Sequence, residues 1–111
     1  MNVLTLLFLT GTYCGSNKPY INDMSITFYN EHYIKNNTLL DITVKLQLDK
    51  ITCKKQLYNI TTTGEISIVS DCVEKQLNKH HVELDKVFYN EMEDDIVLKT
   101  NAGDMTLPLC E

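Results

Sequence analysis

The residues of this chain with the most evident chemistry are its four cysteines, Cys14, Cys53, Cys72 and Cys110. None of them forms the Cys-x-x-Cys pair that is typical of zinc sites, so the spacing favours disulfide bonds. Four cysteines allow three pairings, and the sequence leaves all three open. A bond between Cys53 and Cys72 would close a local loop, worth about 3 kcal/mol in the chain-entropy model. Pairing Cys14 with Cys72 would instead leave Cys53 with Cys110.

Two further groups of residues could bind a metal ion. His80 and His81 are adjacent, but neighbouring side chains in a strand face opposite sides, so they could not bind one metal together. The acidic run at residues 90–95 lacks the alternating Asp/Asn pattern and the glycine of an EF-hand loop. We therefore interpret both as solvated polar segments, and we predict no metal site and no cofactor.

Motifs of catalysis and of nucleic-acid binding are missing from the sequence. It contains no G-x-S-x-G, no H-E-x-x-H and no glycine-rich phosphate loop, so we predict that the protein is not an enzyme. Its formal charge is −5, and no cluster of lysines supplies the basic footprint that nucleic acids need. We therefore predict a protein partner and no nucleic acid.

The chain has six tyrosines, and several of them occur near predicted turns or on outward strand faces. Tyrosine is favoured at interfaces because it combines a large rigid ring with a polar tip. The sequence thus predicts a protein-binding surface, the alternative being that these rings cover the edges of the fold. The residues of this predicted surface are Tyr20, Tyr29, Tyr33, Tyr58 and Tyr89. Two N-x-[ST] sequons, at Asn36 and Asn59, lie beside predicted turns and are candidate glycosylation sites.

The strand that must organise these residues is Leu40 to Leu48, in which aliphatic and polar residues alternate without a break. Such a period predicts a strand with one face on the core, which we expect to pack against apolar residues of the other strands. These are Ile26, Phe28, Ile66, Ile68, Val82 and Leu84. Other short alternating segments recur about every ten residues, with turn-forming residues between them. Ile51 to Tyr58 is more polar and is predicted to be an edge strand, and Val73 to His80 is predicted to be a loop or one helical turn. Residues 15–111 are therefore predicted to form one small all-β antiparallel domain of about seven strands, either a sandwich or a barrel.

The N-terminus has the pattern of a secretory signal peptide. Val3 to Leu9 is an uncharged apolar run, too short to span a bilayer, and small and polar residues follow it. We predict a signal peptide at residues 1–14, ending between positions 13 and 16; the alternative is a buried first strand. The mature protein is then secreted or lumenal in the endoplasmic reticulum, without stable membrane insertion. If cleavage removes Cys14, one of the three remaining cysteines is either free or pairs between chains, which gives the hypothesis of a disulfide-linked homodimer.

Four segments resemble the small secreted immunoglobulin-like accessory proteins of coronaviruses. They are CGSNKPYIND at 14–23, ITFYNEHYIK at 26–35, IVSDCVE at 68–74 and VFYNEMEDDIVL at 87–98. The resemblance implies a disulfide-stapled sandwich made in the endoplasmic reticulum that modulates host immune factors by binding, without catalysis. Carried over by position, it implies that Cys72 pairs with Cys14. This chain departs from the family in having fewer cysteines, with Met24-Ser25 where the family has one before its first strand.

A second interpretation is a secreted β-sandwich that binds a lipid or another small ligand, similar to the secreted lipid-recognition family. Such a protein would hold its ligand in an apolar cavity between its sheets. A protein-binding module would instead have a filled core and would bind its partner through the surrounding loops and tyrosines.

Overall fold

The computed structural model describes residues 9–29 and 39–110. Alternating apolar residues produce an eight-stranded antiparallel sheet, in which each strand pairs with its neighbour in sequence. A single α-helix lies between the fifth and sixth strands in the described part of the chain. The elements are β1 (Gly11–Asn17), β2 (Ile21–Phe28), β3 (Leu39–Lys45), β4 (Lys50–Ile60), β5 (Glu65–Ile68), α1 (Cys72–Asn78), β6 (Leu84–Asn90), β7 (Asp95–Thr100) and β8 (Gly103–Pro108).

The two outer strands, β1 and β8, approach each other and nearly close the sheet into a barrel. Tyr13 forms a β-bridge with Leu109, and the Cys110 N–H donates to the Thr12 carbonyl at 2.8 Å. The disulfide between Cys14 and Cys110 fixes the same contact. The prediction of an all-β, antiparallel, disulfide-stapled domain is confirmed, but eight strands in one barrel-like sheet take the place of the two sheets of an immunoglobulin-like sandwich. Inward and outward residues alternate in both architectures, so the sequence pattern could not separate them.

The second disulfide joins Cys53 of β4 to Cys72 at the start of α1. The local pairing considered from the sequence is therefore the one observed, and the Cys14–Cys72 pairing implied by the family resemblance is wrong. No cysteine is free, since all four lie in the described ranges and are paired within the chain. A chain that keeps Cys14 thus has no odd cysteine with which to form a covalent dimer.

The alternating segment predicted at Leu40 to Leu48 is a strand only up to Lys45. Its inward residues Leu40, Ile42 and Val44 are buried in the core, and Leu46 is nearly so. Leu48, in contrast, is fully exposed in the turn that follows. Its predicted partners Ile26, Phe28, Ile66 and Val82 are buried, while Ile68 and Leu84 are partly buried at the margin of the same core.

Strand β4 is longer than predicted and is not an edge strand. It pairs with β3 through its first part and with β5 through Tyr58 to Ile60. Within the part paired with β3, where the register shifts between Leu40 and Ile42, Lys55 has a positive φ of 53°, and its N–H donates to Asp41 Oδ1 at 2.7 Å. This irregularity is a bulge, and a bulge bends a strand and increases its twist, as barrel closure requires.

Helix α1 covers most of the segment predicted as a loop or a single helical turn. Val73 and Leu77, at i and i+4, are both buried against the barrel. The helix is short, and its attachment through the Cys53–Cys72 disulfide supplies the tertiary support that so short a helix needs.

The predicted signal peptide lies mainly outside the described residues, which begin at Leu9. Strand β1 spans the whole predicted cleavage range of 13–16, and both Leu9 and Tyr13 are buried in the core. The first described strand thus covers residues 11–17, whereas the alternative of a buried strand at Val3 to Leu9 falls mainly outside the described residues. A signal peptide stays a prediction, and a cleavage compatible with the closed sheet would have to fall before Gly11.

Candidate functional site

Alternate connections of an up-and-down sheet meet at the same end of it. In this chain the β1–β2, β3–β4, α1–β6 and β7–β8 connections gather at one end, which we call the loop end. They comprise residues 18–20, 46–49, 79–83 and 101–102. The acidic β6–β7 turn and the β4–β5 turn lie at the opposite end of the strands.

The loop end carries an open groove of about 480 Å³. Two of its lining residues, Leu46 and Val82, are buried, whereas Tyr20 and Leu48 are 56% and 100% exposed. The lining is thus mainly apolar, with polar atoms from Gln47 and His80. The complete lining is Pro19, Tyr20, Leu46, Gln47, Leu48, His80 and Val82.

Leu48 is exposed because it occupies the tip of a tight hairpin. Lys45 pairs with Lys50, and the Leu46 N–H donates to the Asp49 carbonyl at 2.8 Å, so that Gln47 and Leu48 form a two-residue turn. Such turns favour Asn, Asp and Gly for reasons of backbone conformation. A leucine there contributes nothing to the turn or to the core, and its apolar surface is available to another molecule.

The hairpin is held against the α1–β6 loop by Asp49. One carboxylate oxygen accepts the Lys50 N–H at 2.8 Å, and the other lies 2.9 Å from Nε2 of His80. The Lys50 backbone hydrogen bond, followed by the His80 side chain, holds the pKa of the Asp49 carboxyl below its usual value. His80 is therefore positioned by its contact with the Asp49 carboxylate, and its imidazole lines the groove.

A second set of polar contacts holds the α1–β6 loop from its other side. Asn101 accepts the Glu83 N–H at 2.9 Å and donates to the His81 carbonyl at 3.1 Å. His81 itself has a positive φ of 63°, a conformation that costs energy for a non-glycine residue. The side-chain amide of Asn101 offsets this cost by holding the backbone of His81 and Glu83. Val82, between them, is thereby kept in the buried position, and its neighbours stay at the surface.

The predicted tyrosine surface is not a single surface. Tyr20 lies in the groove, but Tyr58 is buried in the core, where its ring packs edge-to-face against Phe28. The placement of Tyr58 on a binding surface is therefore corrected. Tyr29 is half-buried and donates to Asp41 Oδ2 at 2.8 Å, while Tyr33 lies outside the described residues.

Tyr89, the remaining member, belongs to a cluster at the opposite end. Its hydroxyl and that of Tyr13 both donate to Asp94 Oδ1, at 2.9 and 2.7 Å. Burial, and then the bond to Asp94, raises the pKa of Tyr89 to about 12 and raises that of Tyr13 well above its usual value. The cluster joins β1 to the β6–β7 turn, and Asp94, at a positive φ of 51°, is committed to it. We interpret this arrangement as a structural contact.

Of the two candidate glycosylation sites, Asn59 lies in the described residues. Asn59 is exposed on β4 opposite Ser67, which leaves its side chain accessible to a glycan, whereas Asn36 lies outside the described residues. Within residues 9–29 and 39–110, no cluster of three or more His, Cys, Asp or Glu side chains is arranged to hold a metal ion. Over the same ranges, no helix is long and apolar enough to cross a membrane.

Sequence reasoning did not identify Leu48 or Pro19 as residues of this groove. The alternation of the segment assigned Leu48 to the core face, although the following Asp49-Lys50 pair marks a turn. A two-residue hairpin places its turn residues directly before the returning strand, which here begins near Asp49-Lys50. This constraint could have assigned Leu48 to the turn instead of the core.

No protein-family model, no curated protein and no solved structure matches this chain. Its function is therefore argued from the residues of the loop end.

Proposed function

We propose that this protein is a protein-binding module of the secretory lumen or the extracellular space, which contacts its partner through the loop-end groove. The observation that carries the proposal is the full exposure of Leu48 at the hairpin tip, beside Tyr20. Neither residue belongs to the buried core. Tyrosine is enriched among the anchor residues of protein interfaces, and exposed apolar surface beside it is typical of an interaction site. The resemblance to coronavirus accessory proteins would make the partner a host immune factor.

The compartment part of the proposal is supported by the cysteines. One disulfide joins residues 96 positions apart and the other joins residues 19 positions apart, and structural disulfides persist in oxidising compartments and are rare in the cytosol. The chain uses every one of its cysteines in this way.

The structure gives less support to a carrier of lipid or another small ligand. Inward side chains from opposite parts of the barrel, such as Ile42, Ile51, Ile96 and Leu107, have no exposed surface. They belong to one continuous core cluster, which occupies the space where an interior ligand would lie. The groove at the loop end is open to solvent and better shaped for a side chain of another protein.

The test is affinity capture with the full chain, secreted from cultured cells, and with two variants. Leu48→Asp is expected to keep folding and secretion but to lose the captured partner. Leu57→Asp, at an exposed apolar position of β4, is the matched control and is expected to keep it. Equal capture by both variants, or lipid recovered in stoichiometric amount by mass spectrometry of the purified protein, would contradict the proposal.

A further inference from the structure

We propose that Asn59 carries an N-linked glycan whose first sugar packs over Leu57 and Val69, an apolar patch on the outer face of the barrel. This inference rests on the compartment part of the proposed function, because N-glycans are found on secreted proteins. It goes beyond that proposal by assigning one modification site and by naming what covers the outer apolar surface. It follows from the position of the Asn59 sequon on the sheet.

Four apolar side chains form a row across the outer face of the sheet, from the end of β2 to the end of β5. The Tyr29 N–H donates to the Leu39 carbonyl at 3.0 Å, and Leu39 pairs with Leu57. The Val69 N–H donates to the Leu57 carbonyl at 2.9 Å. In each strand the neighbouring side chain belongs to the core or packs against it, so alternation directs this row outward.

The most exposed part of this row is the patch formed by Leu57 and Val69. Leu57 is 41% exposed and Val69 is 64% exposed, and the backbone hydrogen bond between them makes them neighbours on adjacent strands. Contiguous exposed apolar surface is typical of a place that another molecular group contacts. The question is therefore which group covers this patch.

Asn59 lies at the margin of the patch and points to the same side of the sheet. Tyr58, between Leu57 and Asn59, is buried, so both of its neighbours point outward. Their Cα atoms are about 7 Å apart in an extended strand. The residue opposite Asn59 on β5 is Ser67, which is exposed and small. The side-chain amide of the sequon therefore has space for a sugar beside the patch.

The chemistry of the first sugar suits this patch. N-acetylglucosamine presents ring C–H groups and an acetyl methyl group, which are apolar and gain free energy when they leave water together with aliphatic side chains. On the far side of Asn59, β4 ends at Ile60, and the turn that follows is polar. There Thr61 Oγ1 accepts the Glu65 N–H at 3.0 Å. The apolar surface next to Asn59 is thus the side that carries Leu57 and Val69.

A glycan at this position leaves the loop-end groove open. Strand β4 starts at Lys50, at the loop end, and Asn59 is next to its last residue. The distance between them along an extended strand is roughly 30 Å. The glycan would therefore cover apolar surface on the wall of the barrel, while Tyr20 and Leu48 stay accessible to a protein partner.

The experiment uses the full chain secreted from cultured mammalian cells. We expect glycopeptide mapping to find Asn59 occupied. Asn59→Gln keeps a side-chain amide but removes the sequon, and it should lower the melting temperature by roughly 4 °C, because the apolar patch returns to water. Enzymatic removal of the glycan from the folded wild-type protein should reproduce this shift.

The matched control is the double variant Leu57→Thr, Val69→Thr, which keeps β-branched side chains on the strands but removes most of the apolar surface. In this background Asn59→Gln should leave the melting temperature unchanged, because the sugar has no patch to cover. Equal shifts in both backgrounds would overturn the inference. A glycosylated dimer that Leu57→Thr separates would also overturn it, since a second copy would then cover the patch.

Two other outcomes separate this inference from the proposed function. A secreted chain without a sugar on Asn59 would overturn the inference, and the capture experiment with Leu48→Asp would still decide the proposed function. A chain that is neither secreted nor glycosylated would overturn both, because the compartment on which they rest would be wrong.

Discussion

Gly15 of β1 lies so close to Leu107 of β8 that a methyl group at Gly15 would fall 2.6 Å from Leu107 Cδ2. The same methyl group would be 2.7 Å from the Thr106 carbonyl oxygen, which belongs to the backbone and cannot move aside cheaply. A glycine within a strand commonly marks such an approach of two backbones. The contact between the first and last strands thus depends on a residue without a side chain.

Gly15→Ala is therefore expected to destabilise the protein by about 1–3 kcal/mol, the usual effect of overpacking. Chemical denaturation measures the change in the free energy of unfolding. Ser16→Ala, at the exposed neighbouring position, is the control and should stay within about 0.5 kcal/mol of the wild type. If Gly15→Ala is as stable as this control, β1 does not pack against β8 as described.

The processing of the N-terminus follows from the same strand. Because β1 includes Cys14 and its disulfide with Cys110, we expect a secreted mature chain to begin before Gly11. Intact-mass analysis with and without reduction determines both the first residue and the number of disulfides. A mature chain that starts after Cys14, or a dimer that reduction separates, would contradict the closed sheet and restore the covalent-dimer prediction.

The buried tyrosines predict a loss of stability in alkaline solution. Burial raises the pKa of Tyr58 to about 12, and burial with the Asp94 bond does the same for Tyr89. The folded state thus holds these protons more tightly than the unfolded chain, whose phenols titrate near pH 10. The free energy of unfolding should be constant up to about pH 10 and fall as the pH rises to about 12.

Phenolate absorbance and denaturant titrations at several pH values measure this effect. Tyr89→Phe removes one of the late-titrating phenols and should make the decrease shallower. A free energy of unfolding that stays level between pH 10 and 12 would show that the phenols of Tyr58 and Tyr89 are solvated.

Val44 and Leu48 come from one alternating segment but lie in opposite environments, with no exposure for Val44 and complete exposure for Leu48. Val44→Asp should abolish folding and secretion, because a buried unpaired carboxylate costs several kcal/mol. Leu48→Asp should be secreted with a melting temperature close to that of the wild type. Thermal melts and the secreted yield of the two variants compare them directly, and equal damage from both would place Leu48 in the core.

The sequence predicted the elements of the fold better than their arrangement. Alternation located the core residues Ile26, Ile42 and Val44, because burial of one strand face leaves a period that can be read directly. It could not show that β1 meets β8, since that contact depends on curvature and on the bulge at Lys55. The extent of α1 was underestimated because the burial of Val73 and Leu77 and the disulfide at Cys72 stabilise a helix that is polar elsewhere.

The candidate site was predicted only in part. Tyr20 was included in the predicted binding surface. Leu48 was assigned to the core, because apolar and polar residues happen to alternate beyond the end of the strand and into the turn. Tyr58 was assigned to the surface, although its ring lies beside Phe28 in the core. Which residues share a groove depends on how loops from distant parts of the chain meet, and local patterns do not contain that information.

Photo-crosslinking in secreting cells, with a photoreactive phenylalanine analogue introduced at single positions, tests the loop-end binding site most directly. We expect the analogue at position 48 or 20 to crosslink one defined protein, which mass spectrometry can identify. The analogue at position 57, on the exposed side of β4, should not crosslink this protein. Crosslinks of equal yield at all three positions, or from position 57 alone, would contradict a binding site at the loop end.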